Sequence, residues 1–436
     1  MSAGIYQKTT LAVSKIADAA SSLGNASSSA ANLSINGGVL KYTGTGEASS
    51  RLFTIGTIGA TLDSSGSGPV NFSNTGNIVS AEAPTGVTGT LTASNSIVAT
   101  VNDISNLTVG MTVSGTNIAA GTTIRGFRPK VGEPNVNTST GLTYQYDVYL
   151  SANATAAETN AALTFGNANR TLSLTGSNAG ANTVAGVLSD AATGKLAIAK
   201  GGAGTWNLTG ANTFTGGLTV NAGTLGVKRA LNNGAVVINN GGRLQIGPGA
   251  AAGDTSTTSV FDATNSLTLN GTGTLDVNKS GVIFTTQTEA AVRALIASGR
   301  GSGNWTGTGI TSAAGTGAVG YATGADLGGT GTFLGQPYVA TDVLVRYTLP
   351  GDSNLDGTVN FSDLLALAAN YNGTPNAWAK GDSNYDGVVN FNDLLALAAN
   401  YNATASSSFA ADWCWPRAWC PSPRRSACSA RPPCSV

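Results

Sequence analysis

Residues 196–227 read LAIAKGGAGTWNLTGANTFTGGLTVNAGTLGV, and their second half carries the pattern that decides the fold. Leu218-Thr-Val220 and Leu225-Gly-Val227 alternate as strands do, which sends Leu218, Val220, Leu225 and Val227 toward one interior. Between them Asn221-Ala-Gly223 supplies residues that tolerate the left-handed backbone of a sharp corner. The same arrangement recurs at Leu33-Ser-Ile35-Asn36 with Leu40 and Tyr42, at Val236-Val-Ile238-Asn239 with Leu244 and Ile246, and at Leu267-Thr-Leu269-Asn270 with Leu275 and Val277. Units this short cannot bury their own apolar face, so they must stack, which is the logic of a β-solenoid. Recurring corner asparagines predict an amide ladder along the stack. Spacings of 18 residues from Asn221 to Asn239 and 31 from Asn239 to Asn270 predict coils of unequal length.

The stretch Lys200-Gly-Gly-Ala-Gly204-Thr-Trp206-Asn-Leu208, continuing through Gly210, Asn212, Phe214 and Gly216-Gly217 to Leu225, resembles the autotransporter-associated β-strand repeat. That resemblance implies a passenger-domain unit of a right-handed parallel β-helix, and a looser form of the pattern extends over most of 20–280. Trp206 and Phe214 are expected to fill a coil of the solenoid or its edge, with a sugar-stacking platform as the alternative. The fold class is therefore mainly β: a right-handed parallel β-helix with an inserted small β module, a helical cap and a C-terminal α-helical calcium module.

Along the chain, 1–78 reads as the first part of the solenoid and 79–165 as the inserted β module, where Val101 to Ile104 and Tyr144 to Leu150 look like strands. Its basic cluster of Arg125, Arg128 and Lys130, beside Pro129, reads as a solvated loop. Residues 166–284 carry the repeats again, and 285–349 form the cap. There Thr286-Gln-Thr-Glu289 resembles a capping box, with Ala291, Val292, Leu295 and Ile296 on one helix face and Gly299 as the stop. This helix is expected to cover the open end of the solenoid. Val343 to Tyr347 reads as a last strand, 350–404 as the calcium module and 405–436 as a tail without stable fold.

The calcium module is read from an internal duplication. Asp352-Ser-Asn354-Leu-Asp356-Gly357-Thr358-Val-Asn360-Phe-Ser-Asp363 recurs as Asp382-Ser-Asn384-Tyr-Asp386-Gly387-Val388-Val-Asn390-Phe-Asn-Asp393, and 19 of 22 positions agree between 351–372 and 381–402. Oxygen side chains at loop positions 1, 3, 5, 9 and 12, a glycine at 6 and a carbonyl at 7 are what a hard cation needs to replace its hydration shell. Position 12 is Asp instead of the bidentate Glu of an EF-hand, and glycines stand where an entering helix would be. Such loop-then-helix units resemble the type I dockerin domain. The resemblance implies two calcium ions, one held by Asp352, Asn354, Asp356, the Thr358 carbonyl, Asn360 and Asp363. The other would be held by Asp382, Asn384, Asp386, the Val388 carbonyl, Asn390 and Asp393. It also implies docking onto a cohesin-like protein, although positions 10 and 11 are Phe361-Ser362 and Phe391-Asn392 instead of a small hydroxyl pair.

Composition narrows the functions. Basic and acidic residues balance at 22 each, which gives no electrostatic case for nucleic acid. Histidine is absent, which excludes every Ser-His-Asp, Cys-His and His-metal scheme. The solenoid acids Asp63, Asp190, Asp254, Asp262 and Asp276 form no repeated pair at coil spacing, and Arg229 and Arg243 stand alone. No apolar run is long enough for a transmembrane segment, and the start MSAGIYQKTT lacks the features of a signal peptide, so it reads as truncated. Calcium loops of this type fill permanently where calcium is abundant, which points to a secreted protein or the bacterial outer surface. The expected function is non-enzymatic: a structural or adhesive surface protein whose partner is a cohesin-like or other surface protein, or an envelope glycan. The alternative is a glycan-binding or glycan-cleaving β-helix.

All four cysteines, three of the six tryptophans and five of the thirteen prolines lie within 413–436. A zinc or disulfide knot is one reading of that tail, but the cysteine spacings fit no familiar pattern. With G- or C-ending codons, reading from the last base of each codon turns 419–423 into a string containing Pro-Glu-Pro followed by apolar residues. That hidden string resembles the PEP-CTERM sorting tail, which implies a frameshifted surface-sorting signal.

Overall fold

Short alternating strands stack coil upon coil in the computed structural model, which describes residues 3–6, 9–17, 21, 23, 27–101, 104, 106–129, 146–166, 169–192, 194–228, 234–249, 255–315 and 317–405. One eight-stranded parallel sheet joins Thr10–Val13, Val39–Tyr42, Ala60–Ser64, Arg170–Thr175, Leu196–Lys200, Leu218–Val220, Val236–Ile238 and Leu267–Leu269. A second joins Thr45–Ser49, Gly68–Phe72, Ala181–Val184, Thr205–Leu208, Gly223–Val227, Gly242–Ile246, Thr274–Asp276 and Gly309–Thr311. A third, five-stranded, joins Ala3–Tyr6, Leu33–Asn36, Thr54–Ile55, Asn77–Ser80 and Val187–Leu188. Large parallel sheets in this order are compatible with a β-helix.

Register follows the alternation read from the sequence. Leu172, Ile198, Leu218, Val236 and Leu267 form one continuous column of the first sheet. Trp206, Leu225, Leu244, Leu275 and Ile310 form a column of the second. These side chains are buried, and each such aliphatic contributes about 1.5–3 kcal/mol relative to exposure. Trp206 and Phe214 are buried within the same core, as expected. The Trp206 indole donates to the Thr175 carbonyl at 2.9 Å.

Among the described residues the amide ladder forms at one corner. Asn239 Nδ2 donates to Asn221 Oδ1 at 2.8 Å, and Asn270 Nδ2 donates to Asn239 Oδ1 at 2.8 Å. Asn36 is not on it, because the first copy runs from the third sheet to the first, whereas the other three run from the first to the second. Its Oδ1 instead accepts from the Ile58 amide at 3.0 Å.

Solenoid strands extend beyond the expected 20–280, from Ala3 to Thr311. The C-terminal extension arises because the chain leaves the second sheet after Asp276, forms helix α1 (Glu289–Arg300), and returns as Gly309–Thr311. Between the third-sheet strand Asn77–Ser80 and the first-sheet strand Arg170–Thr175, six strands from Val87 to Phe165 form an antiparallel sheet. Its own core includes Val98, Val101, Met111, Val148 and Leu163. Where the chain re-enters the solenoid, the buried Arg170 guanidinium donates to the Ala81 carbonyl at 2.5 Å. Arg125 and Arg128 lie on the strand Ile124–Pro129, not on a loop, because that segment pairs with Tyr146–Leu150; both are exposed, and Lys130 lies outside the described residues.

Helix α1 starts two residues later than expected and ends past its expected stop. Thr288, not Thr286, caps it, accepting from the Ala291 amide at 3.3 Å. Gly299 lies inside the helix, and Gly301, with φ 56°, follows it. Gly299 is required for another reason: a Cβ there would lie 1.8 Å from the Ile310 carbonyl oxygen. Val292 and Ile296 are buried against the end of the stack. Beyond α1 a four-stranded sheet of Ser259–Phe261, Gly281–Phe284, Val343–Thr348 and Ala318–Thr323 completes the cap. Helices α2 (Phe361–Ala369) and α3 (Phe391–Ala399) follow the duplicated loops. No helix among the described residues is long and apolar enough to cross a membrane. The tail from Ser406 to Val436, including 413–436, lies outside the described residues.

Candidate metal-binding loops

The two loops repeat each other in geometry as they do in sequence. At loop position 6 the glycine amide turns back to the first carboxylate: Gly357 N donates to Asp352 Oδ2 at 2.9 Å, and Gly387 N to Asp382 Oδ2 at 3.1 Å. From the far end, Asp363 Oδ1 accepts from the Ser353 amide at 2.9 Å and Oδ2 from the Asn360 amide at 2.8 Å. Asp393 does the same with Ser383 at 2.9 Å and Asn390 at 3.0 Å. The loops thereby bring Asp352 near Asp363 and Asp382 near Asp393, and all four carboxylates are fully buried.

The middle positions stay nearer the surface. Asp356 Oδ1 accepts from the Thr358 amide at 2.7 Å and Asn354 Nδ2 donates to Asp356 Oδ2 at 3.0 Å. Asp386 repeats this with Val388 at 2.9 Å and Asn384 at 2.9 Å. Asn360 and Asn390 face the helices and cap them, accepting from the Ser362 and Asn392 amides at 2.8 Å each. Asp363 and Asp393 close capping boxes, so residues expected as ligands also nucleate α2 and α3. The paired helices share a core of Val359, Val389, Leu367 and Leu397. Gly351 and Gly381, both in left-handed backbone, let each loop start against the partner helix at Leu397 and Leu367.

Electrostatics tests whether a cation fits. Burial pushes the Asp352 carboxyl up to about 6, with the Asp363 charge adding to the effect while Thr348 and Arg346 oppose it. Burial also pushes Asp382 up, against the pull of Arg293. Asp382 Oδ1 is buried and accepts no hydrogen bond. Buried carboxylates in like-charged pairs are costly unless a cation compensates them. No three acidic, His or Cys side chains converge among the described residues, so amides and carbonyls must complete each set. An all-oxygen set of carboxylate, amide and carbonyl fits a hard divalent cation in each loop, and the second loop adds the orphaned Asp382 Oδ1.

Several residues that engage these loops carried no sequence signal. Thr348 Oγ donates to Asp352 Oδ2, and Arg293 of α1 reaches Asp382 Oδ2 at 3.2 Å. Trp378 Nε1 donates to the Asp352 carbonyl at 2.6 Å. Thr348 lies four residues before Asp352, whereas Trp378 and Arg293 reach their partners across 26 and 89 residues.

A separate polar cavity of about 340 Å³ opens beside the end of the solenoid, lined by Arg243, Asn304, Trp305, Thr306 and Thr311 among others. Arg243 is not alone there, because Asp276, two positions along the adjacent strand, lies 2.6 Å from its guanidinium. Asp276 also accepts from Gln245 and from the Asn278 and Ala313 amides, which commits it to structure. Asp190 is likewise engaged by the Leu196 and Thr215 amides, and Asp262 by Thr264 and Asn265. Asp254 and Arg229 lie outside the described residues.

The family description "Passenger-associated-transport-repeat" matches residues 198–227, which are the strands of two consecutive coils. The chain is also 30% identical over 281 residues to the adhesin BmaC autotransporter of Brucella suis biovar 1 (strain 1330). That alignment covers 51% of this chain and 8% of the adhesin, so the chain spans less than a tenth of the relative's length. No solved structure matches the chain.

Proposed function

We propose that this chain is a section of a non-enzymatic, surface-exposed adhesive protein of the autotransporter-passenger kind, built on a right-handed parallel β-helix. The observation that carries the reading is the coincidence of the matched repeat with two coils that stack in register. Similarity to a protein named an adhesin over half of the chain supports it. A stacked solenoid suits adhesion because its long, repetitive faces present many copies of weak contacts at fixed spacing. Its place is the secreted fraction or the bacterial outer surface, and its partners are surface proteins or glycans. Solid-phase binding of the purified chain to extracellular-matrix glycoproteins and to cultured cells tests this. Binding no higher than to an albumin-coated surface would refute it.

The duplicated loops form, in this reading, a dockerin-like module holding two calcium ions. In the first loop Asp352, Asn354, Asp356, the Thr358 carbonyl, Asn360 and Asp363 would hold the ion. Their counterparts from Asp382 to Asp393 would do so in the second. The ion would add positive charge to buried carboxylate pairs that Arg346 and Arg293 offset only in part. Titration calorimetry should give two ions per chain; absence of calcium heat at millimolar concentration would reject it. Whether a cohesin-like protein docks on the module is answered by the same chain in a pull-down with purified cohesin. The frameshifted sorting tail is tested by sequencing the coding DNA, where an early stop in the alternative frame ends the idea.

The cavity lined by Arg243, Asn304 and Trp305 favours glycan binding as a second reading, since it combines amide, hydroxyl and guanidinium groups with an aromatic wall. A glycan array with wild type and Asn304→Ala distinguishes it from contact adhesion along the solenoid faces.

A further inference from the structure

Loop position 4 contributes no ligand, yet in both copies it is the residue most deeply tied to the solenoid. Leu355 and Tyr385 adopt left-handed backbone, with φ 57° and 63°. Both are buried, and both belong to the core that runs through the solenoid and cap, not to the small core between α2 and α3. The Tyr385 hydroxyl donates to the Val319 carbonyl at 2.5 Å. Its ring lies 6.2 Å from Tyr321 and 5.5 Å from Trp378. Trp378 in turn rests on Gly320, where a Cβ would come within 2.6 Å of the indole.

The cap grips the loops in return. Arg293, on the helix that seals the stack, donates to Asp382 Oδ2 and to the Tyr385 carbonyl, both at 3.2 Å. Arg346, on the central strand of the cap sheet, donates to the Leu355 carbonyl at 2.8 Å, and Thr348 two residues on engages Asp352. Each loop therefore has its first carboxylate and its position-4 carbonyl held by cap residues.

We propose that the two loops are a calcium-dependent clamp on the C-terminal end of the solenoid, with Arg293 and Thr348 as positioning residues. The proposal rests on the calcium reading above. Left-handed backbone is unfavourable for Leu and Tyr, and a loop wrapped on an ion is what over-determines it. Ion binding is available only to the wrapped loop, so it stabilises whatever that loop's geometry holds in place. What it holds in place is Leu355 and Tyr385 in the cap. Calcium then protects the end of the solenoid, and its removal lets α1 and the cap sheet open locally.

Hydrogen exchange by mass spectrometry on the full chain, in millimolar calcium and in chelator, tests this together with calorimetry. Calcium should slow exchange about tenfold or more in α1, Ala318–Thr323 and Val343–Thr348, as well as in the loops themselves. Tyr385→Phe, at a position that contributes no ligand, removes only the hydroxyl bond to Val319; it should keep two calcium ions and the slowing within 352–402 but lose most of the slowing in Ala318–Thr323. Arg293→Gln, which also removes a partner of the ligand Asp382, should lose most of the slowing in α1, and slowing there as large as in the wild type would overturn the grip through Arg293. Calcium heat with unchanged exchange in the wild-type α1 and cap sheet overturns the clamp and leaves the calcium reading intact. No calcium heat overturns both.

Discussion

Gly299→Ala should destabilise the protein although it adds a better helix former to a helix interior. On propensity alone the change would gain about 1 kcal/mol. The added Cβ would sit 1.8 Å from the Ile310 carbonyl oxygen and 2.5 Å from its carbon, so helix and strand must separate by roughly 1.6 Å to reach ordinary contact. The oxygen cannot swing aside, because Ile310 lies in Gly309–Thr311, paired to Thr274–Asp276. Neighbouring contacts are equally close: Gly307 faces the Ser298 carbonyl at 1.9 Å and Gly309 the Leu295 carbonyl at 2.4 Å for a built Cβ. Retreat of the helix would loosen Val292 and Ile296, so the net cost should be on the order of 1–3 kcal/mol. Urea unfolding followed by near-ultraviolet circular dichroism measures it, with Ser298→Ala, which changes an exposed position of the same helix, as control. A Gly299→Ala protein as stable as wild type, or more so, would refute the close-packing argument and return Gly299 to the role of a helix stop.

Asp386→Ala should lower calorimetric calcium stoichiometry from two ions to one, leaving the first loop filled; two tight ions in the variant would remove Asp386 from the ligand set. Asn239→Ala interrupts the exposed ladder between Asn221 and Asn270 and should cost about 0.5–1.5 kcal/mol in urea unfolding, with a neutral result showing that water replaces the amide. Lys200, buried in an otherwise aliphatic column, donates to the Gly201, Gly202 and Ala222 carbonyls, and burial lowers its ammonium to about 8. Its folded value lies below the unfolded one, so the burial cost is full below pH 8 and relieved as pH rises toward about 10.4. Relative to Lys200→Met, wild type should therefore gain stability between pH 8 and about 10, and a flat difference would show that the three carbonyls hold the charge without penalty.

What depends on local periodicity was legible before any coordinates. Alternation in Leu218 to Val227 and its copies specified inward columns, because a strand has only two faces and a short unit must stack to bury one of them. The twin loops were equally legible: position 6 must be glycine to turn back on position 1, and Asn360 and Asp363 had to lie where a helix starts. Tertiary structure decided which corner each copy occupies. Asn36 and Asn221 share a local pattern but lie on different edges, since nothing within a dozen residues counts sides of a coil. It also decided that Arg243 meets Asp276 across 33 residues and that Arg293 meets Asp382 across 89. Such pairs are set by the length of intervening coils and by how the cap folds back, quantities that no local spacing encodes. The same holds for Leu355 and Tyr385: the loop pattern leaves position 4 free, and only the surface it packs against makes it an anchor.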